Sequence, residues 1–185
     1  MPLLKREPDI FPSSIFELDS VVRPWRVAHV RSRQEKVLAR YLHERDIPFY
    51  LPQTELETRR SGRTFRSHLP LFTSYVFIRA AKDDCLTVRR SDVLANLLDV
   101  ADQPQLHEEL LQLHQLQQSG ALLIPYPELT TGDAVKVTEG VFKGYEGIIV
   151  RERGQHRLIV SISMLRQSVA AEFGRESIAP ARKIA

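Results

Sequence analysis

Apolar residues recur at helical spacing in two stretches of the chain and alternate in several others. Val37, Leu38, Tyr41 and Leu42 fall on one stripe, and Ser32 followed by Glu35 has the form of a capping box. A helix is therefore predicted from about residue 32, and Ile47-Pro48 ends it. Arg33, Lys36, Arg40 and Arg45 lie off the stripe, so this helix buries one side and offers a basic side to solvent. Leu106, Leu110, Leu113 and Leu116 predict a second long helix over 105–118, stopped by Ser119-Gly120. Upstream, the run WRVAHV at 25–30 alternates in part and reads as a strand. Residues 49–51 and 54–60 are extended, Ser61-Gly62 is a turn signal, and 64–69 is the return strand. The aromatic and β-branched run 71–78 is the most strand-like of this half; a short helix over 83–90 and a strand over 94–100 follow. Strand, helix, hairpin, strand, helix, strand, helix makes an α+β domain, an antiparallel sheet flanked by helices.

Beyond residue 120 the pattern changes. Residues 121–129 contain Pro125 and Pro127 and no clear element, and read as a linker. Short strands over 134–138, 145–152, 157–164 and 169–173 then suggest a small β-barrel, in which closing the sheet protects its edges. Residues 1–23 hold three prolines and no sustained period, so a flexible N-terminal extension is expected, with only a short apolar patch over 10–18. The domains expected are thus 24–120 and 130–185.

Composition narrows the classes. Apolar residues at 43% and charged ones at 26% are ordinary for a soluble protein. No apolar run is long enough to span a bilayer, and Glu7, Pro8, Asp9 and Pro12 interrupt any secretory pattern, so a cytoplasmic location is expected. The single cysteine, Cys85, excludes a disulfide or a cysteine-cluster metal site within one chain. Charge is uneven: residues 24–90 carry 14 Lys/Arg against 7 Asp/Glu, whereas 91–120 carry no Lys/Arg and 5 Asp/Glu. A basic half of this kind suits phosphates. Of the six histidines only His107 and His114 share a helix. Seven residues apart, they are separated by about 10 Å, too far for one metal ion. No phosphate-cradling glycine loop, nucleophile elbow or paired-carboxylate site is recognisable, so no catalytic activity, cofactor or metal is expected.

The stretch GDAVKVTEGVFKGYEGIIV at 132–150 resembles the KOW motif of the NusG family. A hydrophobic strand runs into a turn closed by Gly140, and Gly147 stands where a side chain would crowd the barrel. VSISML at 160–165 and the run 169–173 are similar to the next hairpin of that domain. In the first half, WRVAHV followed by a basic amphipathic helix, FYLP at 49–52 and LFTSYVFI at 71–78 resemble the opening and two further strands of the family's N-terminal domain. The likeness covers about residues 24–182. It implies a NusG N-terminal domain followed by an SH3-like KOW barrel, acting in transcription elongation or antitermination. It leaves open a specialised, RfaH-like paralogue.

Further implications of the resemblance concern partners and residues. The N-terminal domain would grip the clamp helices of RNA polymerase, and Tyr75 and Phe77 match the aromatic positions that do so, with His29 and Leu97 at the rim. On their own, aromatic residues of a strand read as core. Alternation places both rings on one sheet face. Arg31, Arg33, Lys36 and Arg40, with Arg89 and Arg90, would meet the non-template DNA strand; the bland reading is a solvated basic face. The hairpin arginines Arg59, Arg60, Arg63 and Arg66 rank below them. Phe142, Tyr145, Met164 and Leu165 match the rim by which the KOW domain binds a small-subunit ribosomal protein or Rho. Leu165 replaces a phenylalanine there, Arg166-Gln167 replaces a Gly-Arg turn, and Thr73-Ser74 replaces Pro-Gly or Pro-Asn before the aromatic strand. A monomer without membrane attachment is expected. The alternative reading is an RNA-binding or ribosome-associated KOW protein.

Overall fold

A computed structural model describes residues 8–60, 62–126, 133–136, 145–152, 155–172 and 182–183. The chain divides into two units, 1–107 and 108–185. In chain order the first holds β1 (Ile10–Phe11), β2 (Trp25–Val30), α1 (Glu35–His43), β3 (Phe49–Tyr50), β4 (Gln53–Arg60), β5 (Arg63–Pro70), β6 (Tyr75–Arg79), α2 (Lys82–Arg89) and β7 (Leu94–Asp99). Helix α3 (Gln103–Gln118) runs across the division. Five of these strands form an antiparallel sheet in the order β1-β3-β6-β2-β7, while β4 and β5 form a separate two-stranded ribbon.

Cross-strand register assigns the two faces of the five-stranded sheet. Ala28 stands opposite Val76 and Leu97, and Phe49 opposite Ile78. These side chains share a buried cluster with Leu38, Ala39 and Leu42 of α1 and Val88 of α2. Each fully buried leucine or isoleucine there contributes about 1.5–3 kcal/mol. The other face carries Trp25 opposite Arg79, and Val27 and Tyr50 opposite Phe77. All five of those side chains are buried.

Local chemistry sets the helix starts, and at α1 it differs from the expectation. Ser32 does not cap. The α1 N-cap is Gln34, without a side-chain cap bond, and the Glu35 carboxylate accepts the Ser74 N–H at 2.6 Å instead. A tertiary partner has taken the carboxylate that a capping box would use locally. Helix α2 begins where Asp84 accepts the Ala81 N–H at 2.8 Å. Helix α3 begins two residues earlier than its leucine stripe suggests, because Asp102 accepts the Gln105 N–H at 2.9 Å as an N-cap.

The expected flexible extension is ordered over residues 8–23. β1 pairs with β3, a 3₁₀ turn follows at Ile15–Glu17, and Ile15 is fully buried. Prolines excluded helix from this segment, but its few apolar side chains found a sheet face to cover.

The second unit contains β8 (Leu122–Tyr126), β9 (Asp133–Lys136), β10 (Glu146–Glu152), β11 (Gln155–Ile162), β12 (Gln167–Glu172) and β13 (Arg182–Lys183). They form one antiparallel sheet in the order β13-β9-β10-β11-β12-β8. A 3₁₀ turn at Ser163–Leu165 joins β11 to β12. Strand β8 lies in the segment expected as a linker. Pro125 concealed it, yet among the described residues β8 is at the edge of this sheet and pairs only with β12, where a missing N–H is tolerated.

Candidate functional site

The expected gripping face splits into a sealed part and an open part. Phe77 is fully buried, with the Phe72 ring edge-on at 5.7 Å. It belongs to the core and is not presented to a partner. Leu97 is not at the rim of this face: it is 6% exposed and sits in the cluster beneath α1 and α2, on the opposite sheet face from Tyr75. The odd-even alternation that aligned Tyr75 with Phe77 holds within β6, but Leu97 pairs with Ala28, whose side chain points the other way. Tyr75 and His29 remain half-exposed and stand opposite each other in register. Their rings stack at 5.1 Å with an interplanar angle of 29°. Half-buried Leu98 lies on the same face, opposite Val27.

At the other end of this face the N-terminal segment and the first turn of α3 form a lid over Trp25. Phe16 packs against Trp25 at 5.8 Å, Tyr50 at 5.6 Å and His107 at 5.8 Å between ring centroids. The Trp25 indole donates to His107 Nδ1 at 3.3 Å. Gln103 pairs with the Trp25 backbone in both directions, accepting its N–H at 2.7 Å and donating to its carbonyl at 2.9 Å. Arg79, 1% exposed, donates from Nη2 to the Leu18 carbonyl and lies 5.0 Å from the Trp25 ring. Its Nε and Nη1 have no hydrogen-bond partner, and burial pushes its pKa down, opposed by the charge of Asp19. Sequence reasoning missed this lid; the apolar patch at 10–18 was its one signal.

The basic candidates are brought together in part. The Arg31 N–H donates to the Val93 carbonyl at 3.0 Å, which places Arg31 and Arg33 beside the loop that follows Arg89 and Arg90. All four side chains are exposed, as is Arg40 on α1. Lys36 is half-buried and its ammonium donates to the His68 carbonyl at 2.7 Å, tying α1 to the ribbon. On the ribbon, Arg66 donates to Glu57 at 2.6 Å and lies 3.3 Å from Glu55, so its charge is matched locally.

In the second unit, Met164 is 37% exposed and Leu165 half-buried on the 3₁₀ turn. Glu109 fixes that turn by accepting the Ser163 N–H at 3.1 Å and its hydroxyl at 2.6 Å. Tyr145 is half-buried, and burial raises the pKa of its hydroxyl. Phe142, with Gly140, lies outside the described residues. Among the described residues no cluster of metal-ligating side chains occurs and no helix is long and apolar enough to cross a membrane.

Comparison with known proteins bears on this arrangement. None of the curated proteins matches the chain. A solved structure described as domain interaction in Thermotoga maritima NusG matches with a TM-score of 0.50 at 18% identity, covering 90% of this chain and 100% of that one. A family model described as NusG, transcription termination factor, matches residues 23–113. That stretch, which holds both the stacked His29–Tyr75 pair and the basic edge, belongs to the NusG family.

Proposed function

We propose that the first unit binds RNA polymerase by laying the clamp helices against the His29–Tyr75 end of its sheet, and that the protein acts in transcription elongation and antitermination, suppressing pausing or termination. NusG-family proteins are transcription factors that bind RNA polymerase. The observation that carries the finer reading is the stacked, half-exposed pair left open on a sheet face that is otherwise covered. Aromatic anchors of this kind dominate helix-binding interfaces. Arg31, Arg33, Arg89 and Arg90 supply an adjacent edge for the non-template DNA strand, with Arg40 further along α1. The second unit is a KOW domain of SH3-like form, offering Tyr145, Met164 and Leu165 to a small-subunit ribosomal protein or Rho.

The test is retention on purified core polymerase. Replacing both His29 and Tyr75 by alanine is expected to weaken binding by tenfold or more, about 1.4 kcal/mol at the least. Undiminished binding by the folded double variant removes the gripping face from this reading. A wild-type chain retained by ribosomes and not by polymerase favours the ribosome-associated alternative.

A further inference from the structure

The N-terminal segment lies on the sheet face whose His29–Tyr75 end the proposed function gives to the polymerase. Trp25, Val27, His29, Tyr50, Tyr75, Phe77 and Arg79 share that face by register. Only its His29–Tyr75 end is open, and Phe16 sits over Trp25 and Tyr50 at the other.

The attachments of this segment are short and partly frustrated. Phe11 packs against the core with its ring 4.8 Å from His43 and 6.5 Å from Phe49. β1 is two residues long, and the Leu51 N–H donates to the Asp9 carbonyl beside it at 2.6 Å. The return to β2 leaves Val21 88% and Val22 62% exposed, and is held by an Arg23–Asp84 ion pair at 3.6 Å. Its closure buries the Arg79 guanidinium, giving it the Leu18 carbonyl, an aromatic ring and the opposite charge of Asp19, while two of its nitrogens go without a hydrogen-bond partner. Enclosing a charge so incompletely opposes closure, since water satisfied every donor beforehand. Against that stand the burial of Ile15, the pairing of β1 with β3 and the ring contacts of Phe11 and Phe16.

We infer that residues 10–23 form a displaceable strap, which covers the Trp25–Tyr50 end of that sheet face in the free protein and lifts from it when the partner helices, docked at the His29–Tyr75 end, extend along the face. The inference rests on the polymerase reading above. A segment that closes a site lowers apparent affinity by the fraction of time the site is shut.

Trp25 is the only tryptophan in the chain and lies fully buried beneath the strap, so its fluorescence quenching by acrylamide in the free protein reports strap opening. In full-length protein, Phe16→Ala is expected to raise the quenching rate several-fold and tighten binding to core polymerase about five- to tenfold. Arg79→Met removes the enclosed charge while keeping the bulk, and is expected to move both readouts the opposite way. If Phe16→Ala does not fold, Arg79→Met decides alone. Faster quenching with unchanged or weaker polymerase binding overturns the strap while leaving the gripping face intact. Changed quenching in a protein that never binds polymerase, wild type included, overturns both readings together.

Discussion

A methyl group at position 147 would lie 2.4 Å from the Ile159 carbonyl oxygen and 2.9 Å from Leu158 Cδ1. The oxygen belongs to backbone paired between β10 and β11, so it cannot retreat without parting the two strands. Gly147→Ala is therefore expected to destabilise the second unit by about 2–3 kcal/mol. Hydrogen exchange at the β11 amides should accelerate correspondingly, and unchanged protection there would show that the sheet absorbs the methyl group. The family motif identified this glycine, but only the pairing geometry gives the reason for it. Two other single positions carry the same lesson in reverse. Ser74 and Arg166 stand where the family pattern has glycine or asparagine, and both keep the left-handed backbone those residues favour, with φ of 67° and 51°. The departures noted in the sequence thus change the side chain while the turn survives. Each costs about 1–2 kcal/mol relative to an unstrained residue. At Ser74, the bond from its N–H to Glu35 helps hold the turn.

That bond joins two elements. Helix α1 reaches the turn before β6 through the 4%-exposed Glu35, and the Val30 N–H meets the Ser74 carbonyl at 2.8 Å from the side of β2. Tyr75 is the next residue, so the placement of the open ring depends on a helix start that local capping rules assigned otherwise. Glu35→Ala leaves the Ser74 N–H without its acceptor and is expected to cost about 2 kcal/mol in thermal unfolding, whereas Glu35→Gln retains an acceptor and should cost under about 1 kcal/mol. Equal losses would assign Glu35 a packing role only. Elements with a strong period were readable from sequence: the β4–β5 ribbon with its Gly62 turn, α2, β7 and the α3 stripe all occur near their expected bounds. Elements held by tertiary partners were not. β8 carries a proline that its edge position among the described strands tolerates, and the strap has no period of its own, because two rings and one isoleucine seated on a sheet leave no repeating signal. The candidate site was legible to the same degree. Tyr75, Phe77, His29 and Leu97 all came from the family resemblance, and alternation added only that Tyr75 and Phe77 share a face, while the burial of Phe77 and the inward side of Leu97 depended on which neighbours cover each face.

For the whole molecule, a net charge of +3 is too small to draw nucleic acid to every surface, so any such affinity must come from how charge is arranged. Much of the acidic stretch 91–120 is occupied structurally: Asp99 pairs with Arg26, Asp102 caps α3 and Glu109 holds the Ser163 turn. Of the basic residues, Arg66 is matched by Glu55 and Glu57, and Lys36 is committed to the His68 carbonyl. The exposed arginines at positions 31, 33, 89 and 90 are those proposed above to act together on one edge of the first unit. Each phosphate contact on single-stranded DNA contributes about −0.7 to the slope of log affinity against log salt. Four such contacts would give a slope near −3. Replacing Arg89 and Arg90 by alanine should make it shallower by about 1.4, whereas Lys36→Ala should barely change it, because that ammonium is already turned inward. A titration of single-stranded DNA binding across salt concentrations separates these outcomes. A slope that falls equally for both variants would mean the charge acts as a diffuse field, and the basic edge would then be no more than a solvated face.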